Sequence, residues 1–135
     1  MTVDPQQRNL AHTRALVIWG SFLFAQALFV ALLLAGIVPA GRSQPAHLVT
    51  IFSLLALAAG IGAHIMWRRA RTPLDRVMRE VPDPVALLPF YIVAWALDEA
   101  VALLGLVLGF LGFPTVVWSA FSAAGFILTL VHRPA

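Results

Sequence analysis

Two adjacent carboxyls, Asp98 and Glu99, stand in the middle of a long apolar run, and they are the side chains best placed to do chemistry in this chain. A charge at the centre of a membrane span costs about 2.5–3.5 kcal/mol on insertion scales, so an acid retained there tends to bind, move or bridge something. Neighbouring helical residues project about 100° apart, so the two acids face different surroundings. Asp98 shares a stripe with Ala102, Gly105 and Gly109, and Glu99 shares one with Trp95, Ala96, Leu103 and Leu106. Gly105 and Gly109 form a GxxxG step of the kind that lets helix backbones approach closely. No arginine falls near mid-depth of any apolar run, so neither acid is expected to meet a basic partner. Removal from water and a like-charged neighbour both favour the neutral form, and at least one carboxyl is expected to carry its proton at neutral pH. The chemistry on offer is reversible proton binding at Glu99, with Asp98 as its partner or as a second site.

The other polar candidates are few. Gln26 lies mid-run and suits an interhelical hydrogen bond. His64 lies one turn from the end of its run, beside Trp67 and Arg68, and reads as an interfacial side chain. His12 and His132 fall outside the apolar runs, where water is expected to satisfy them. His12, His64 and His132 would gather near one membrane face, but no pair has the spacing of a metal motif, so neither metal nor haem is expected. No phosphate loop, nucleophile elbow or HExxH pattern occurs, so no catalytic residue is assigned and no cofactor is expected. The absence of cysteine excludes disulfides, thiolate metal sites and CxxCH haem attachment.

The elements that must position these groups follow from composition. The 135 residues are 61% apolar and only 11% charged, far from the soluble norm of about a quarter charged. Four apolar stretches, 15–38, 48–67, 85–111 and 115–131, approach or exceed the roughly 17–25 helical residues that cross a bilayer core. Pro39 and Gly41 end the first, Arg68 and Arg69 close the second, and Gly112 with Pro114 break the third from the fourth. The expected fold is all-α: a polytopic membrane protein whose single domain, residues 1–135, is an antiparallel bundle of four transmembrane helices.

All nine basic residues are arginine, and eight of them flank the spans on one side against Arg42 alone on the other. The positive-inside rule then predicts an N-in, C-in protein, multi-pass in the inner (plasma) membrane. Residues 68–84 would form a cytoplasmic interfacial loop, with Leu74, Val77, Met78 and Val81 on one face of a short helix and Asp83-Pro84 starting the third span. The arginines lack the interleaved aromatic residues of a single-strand binder, so nucleic acid is not an expected partner.

The third span, ALDEAVALLGLVLGFL from Ala96 to Leu111, resembles the carboxylate-bearing helix of the rotary ATP synthase c subunit, the proteolipid. Glu99-Ala100 followed by Gly105-Leu106-Val107 carries the likeness. In the second span Ala58-Ala59-Gly60-Ile61-Gly62-Ala63 is similar to that family's small-residue run, and Arg79-Glu80-Val81-Pro82-Asp83 to its polar loop. The likeness covers about half the chain; an extra acid, a shorter glycine run, a longer loop and two flanking spans depart from it. It implies that Glu99 takes up H⁺ rather than Na⁺, there being no adjacent hydroxyl, and that Gly60, Gly62, Gly105 and Gly109 serve helix packing. The expected function is therefore a small membrane protein or subunit that binds or moves protons. The alternative is a non-catalytic scaffold or accessory subunit whose partners are lipid, further copies of itself or other membrane chains. Quinone or haem binding ranks third.

Overall fold

The structure, a computed structural model, describes residues 5–36, 45–71 and 84–134. Among these it is entirely helical, with α1 at Pro5–Leu34, α2 at His47–Arg71, α3 at Pro84–Phe110 and α4 at Thr115–Val131. Three of the four, α1 to α3, are long and apolar enough to cross a membrane, while α4 is a shorter apolar helix of 17 residues. The interfacial helix expected in 68–84 falls largely outside the described residues, as do Pro39 and Gly41.

Local chemistry explains the ends. α1 begins ten residues before the expected Ala15 and takes in His12 and Arg14, because nothing in that polar lead-in breaks a helix. It stops at Leu34, where Gly36 adopts a left-handed φ of 71° that a side chain would resist. α2 does not close at Arg68 and Arg69 but continues one turn to Arg71, since arginine is a good helix former and its charge suits a C-terminal turn. Between α3 and α4, Gly112 at φ 81° donates to the Gly109 carbonyl at 2.8 Å, and the Phe113 N–H reaches Leu108 O at 3.1 Å. This pair of bonds is a Schellman ending, and Phe113 completes it by packing on the cluster that contains Leu108.

α3 is the hub. It packs against all three other helices, α1 also touches α4, and α2 leans chiefly on α3. Two glycines set the α3–α4 spacing. A Cβ on Gly105 would sit 2.7 Å from Trp118 O, and one on Gly125 would sit 2.7 Å from Ala102 N and 2.8 Å from Asp98 O. Gly109 instead faces the tip of Leu33 on α1. Gly60 and Gly62 meet only side-chain tips, Leu128 at 3.5 Å and Leu97 at 3.2 Å, so the backbone does not approach closely there. Ile51, Leu54, Leu55, Leu57, Ile61 and Ile65 on α2 remain exposed, a face suited to lipid.

Candidate functional site

Helix length builds the site. At 1.5 Å per residue α4 rises about 26 Å and α3 about 40 Å, so α4 ends alongside the middle of α3 instead of matching its full extent. Thr129 near its end and His132 just beyond it are therefore buried among the other helices, while Leu130, Val131 and Arg133 stay exposed. The helix's last carbonyls have no intrahelical donors, and left buried each would cost about 1–3 kcal/mol. The His132 N–H caps Leu128 O at 2.8 Å, and indole N–H groups serve Thr129 O and two carbonyls just beyond the helix. Trp19 of α1 donates to Thr129 O at 2.8 Å, Trp95 of α3 donates to His132 O at 2.8 Å, and Trp67 of α2 reaches Arg133 O at 3.4 Å. Each neighbouring helix thus ties down the end of α4 with one tryptophan.

Held this way, His132 is only 1% exposed and its Nδ1 lies 2.9 Å from Oδ2 of Asp98, which is fully buried. The ring's Nε2 lies 3.4 Å from Nδ1 of His64 on α2. His64, Trp67 and His132 form a cluster of rings with centroids 5.2–5.7 Å apart, and the Arg71 guanidinium covers the Trp67 ring at 4.6 Å. The result is a chain of titratable groups, Asp98 to His132 to His64, running from a buried carboxyl to an exposed imidazole.

Two expectations change. Asp98 has a basic partner, and His132 is satisfied by a carboxylate and an indole-bound backbone instead of by water. Both changes follow from one fact: the end of α4 stands beside Trp95 and Asp98 of α3, inside the bundle. Of the three histidines weighed together, the structure brings His64 and His132 into contact and leaves His12 exposed on the first turns of α1. Among the described residues no cluster of His, Cys, Asp and Glu has the disposition to hold a metal ion.

Glu99, half-buried, has no hydrogen-bond or ion-pair partner among the described residues. Gln26, 2% exposed, donates from Nε2 to Thr129 Oγ1 at 2.8 Å and so joins α1 to α4 one turn before His132. Among the described residues two side-chain acceptor atoms are buried without a donor, Asp98 Oδ1 and Gln26 Oε1. Sequence reasoning passed over Thr129, Gly125 and the tryptophans as a set.

Chemically, such a chain can pass a proton. With Asp98 ionised, His132 donates Nδ1–H to it and accepts at Nε2 from His64 Nδ1–H. A proton arriving at His64 Nε2 releases the Nδ1 proton to His132, whose own Nδ1 proton moves to Asp98 Oδ2. Asp98 ends neutral, and each imidazole ends in its other tautomer.

No protein-family model matches the chain, and neither a curated protein nor a solved structure matches it significantly. The likeness to the proteolipid hairpin therefore rests on this chain's own residues in 58–63, 79–83 and 96–111.

Proposed function

We propose that this is a multi-pass protein of the inner membrane whose four antiparallel helices place a reversible proton-binding site, Asp98 with His132, inside the bundle, with His64 as its outlet. The observation that carries the reading is the 2.9 Å contact between a fully buried carboxyl and a buried imidazole, continued by the 3.4 Å step to an exposed histidine. A buried pair of this kind is rarely retained for stability alone, because removing both groups from water cancels most of their attraction. The arginine asymmetry supports both termini on the cytoplasmic side, which puts the His64 end of the chain toward the cytoplasm. The likeness to the proteolipid favours Glu99 as the proton carrier, whereas the hydrogen bonds favour Asp98. On this reading Glu99 is a separate carboxyl on the hub helix.

The test is proton uptake by protein in liposomes after an acid jump, followed with a pH dye and with the infrared band of protonated carboxyls. Asp98→Asn, which keeps the shape and can still bond His132, is expected to remove the uptake and its carboxyl band. His64→Phe is expected to slow the uptake and leave its extent unchanged. Uptake retained in Asp98→Asn and lost in Glu99→Gln would transfer the role to Glu99; uptake unchanged in both would end the proton reading.

A second reading, a scaffold or accessory subunit, has its own support in the three tryptophan bonds and the Gln26–Thr129 bond that fix the end of α4. There Asp98 and His132 act as one more tie. It predicts that Asp98→Asn changes unfolding and not proton uptake.

A further inference from the structure

The C-terminal ends of α2 and α4 meet at one indole, and each brings an arginine to it. The Arg71 guanidinium lies 4.6 Å from the centre of the Trp67 ring, and the Trp67 N–H reaches Arg133 O at 3.4 Å. Both arginines are exposed, and neither forms an ion pair or a side-chain hydrogen bond among the described residues. Helix dipoles favour a basic residue at each of these ends, but two cations anchored at one side chain repel each other. An arginine steadied over an indole also keeps its N–H donors unspent. The exposed imidazole of His64, its ring centre 5.6 Å from that of Trp67, adds a polar edge. Exposed hydrocarbon adjoins this basic end: Ile61 lies one turn before His64 on α2, and Val131 immediately precedes His132. Cations at one end and bare apolar surface beside them are the complement of an anionic amphiphile.

We propose that Arg71 and Arg133 hold the phosphate of an anionic phospholipid where α2 and α4 end, with its acyl chains along Ile61 and Val131. A guanidinium pairs with a phosphate through two parallel N–H bonds, and one anion between the two arginines turns their repulsion into attraction. A zwitterionic lipid carries the same phosphate and chains, but its ammonium cancels the charge that the site selects. The proposal rests on the membrane placement of the chain and not on proton binding at Asp98.

The experiment uses the full chain in nanodiscs of mixed phosphatidylcholine and phosphatidylglycerol, with the lipid retained per chain read by native mass spectrometry. Preferential retention of phosphatidylglycerol is expected. Arg71→Gln and Arg133→Gln, both at exposed positions, should each lower that preference about fivefold. Arg69→Gln removes the same charge about 200° round α2 from Arg71 and should leave the preference unchanged. Inorganic phosphate at matched ionic strength should not displace the lipid. Equal retention of the two lipids, as when Asp75 or Glu80 neutralises the arginines instead, would overturn the proposal and leave the membrane reading intact. An effect of Arg69→Gln as large as that of Arg71→Gln would reduce the site to general surface charge and overturn it too. Displacement by phosphate would make the ligand a soluble anion. A chain that does not enter the nanodisc would end the membrane reading and the proposal together.

Discussion

Gly125→Ala should destabilise the protein, although alanine is the better helix former. A Cβ at Gly125 meets Ala102 N at 2.7 Å, Ala102 Cβ at 2.8 Å and Asp98 O at 2.8 Å, all parts of α3 that no rotamer change can move aside. Those distances lie roughly 0.6 Å inside ordinary van der Waals contact, so the α3–α4 pair must separate. Overpacking of this kind costs about 1–3 kcal/mol, and the helix-propensity gain from Gly to Ala returns at most about 1 kcal/mol. With the full propensity gain returned, the net loss should be up to about 2 kcal/mol. Gly60→Ala and Gly20→Ala provide the contrast. The first meets only the tip of Leu128 at 3.5 Å and the second meets nothing within 4 Å, so both should be neutral or stabilising by up to about 1 kcal/mol. Reversible unfolding in mixed micelles, followed by helical circular dichroism, compares the three in one assay. If Gly125→Ala unfolds no earlier than Gly60→Ala, the close backbone contact at the centre of the α3–α4 interface is wrong.

Trp95→Phe keeps the ring but leaves His132 O without its donor, and should cost about 1–3 kcal/mol; Trp67→Phe, losing a longer and exposed bond, should cost under about 1 kcal/mol in the same assay. A hydrophobic carbodiimide should modify Glu99, the carboxyl without a protein partner, and spare Asp98, enclosed by His132. Labelling should therefore vanish in Glu99→Gln and persist in Asp98→Asn, as peptide mass mapping would show. Reporter fusions after Pro134 and within 41–44 should report cytoplasm and exterior respectively; the reverse pattern would refute the arginine-based orientation.

The helices were legible in the sequence because apolar runs and their breakers act locally. Gly112 and Pro114 marked the α3–α4 turn, and α4 lies where its run predicted. The start of α1 was not legible, since the polar residues before Ala15 carry no signal that separates a projecting helix from a tail. The acids were also legible as exceptions to an apolar pattern, but their partner was not. His132 follows its run by one residue, and sequence alone assigns such a position to the interface. Only the relative depth of α3 and α4, set by Gly105 and Gly125, shows that the end of one helix meets the middle of the other. For the same reason the glycines of α2, conspicuous by spacing, matter less to backbone contact than Gly125, which stands alone in its helix.

One consequence of the packing concerns motion. α3 and α4 approach backbone to backbone at Gly105 and Gly125, and buried or part-buried hydrogen bonds from Trp19 and Gln26 tie α1 to α4, whereas α2 packs along α3 and meets α4 through side chains such as His64 and Trp67. The inner joint, 2.9 Å long, joins α4 to α3 across that close backbone contact, and the outer joint, 3.4 Å long, joins α4 to α2. Hydrogen bonds fade steeply beyond that length. The outer joint is therefore the one that a small displacement of α2 would break first, separating His64 from His132 and the buried acid.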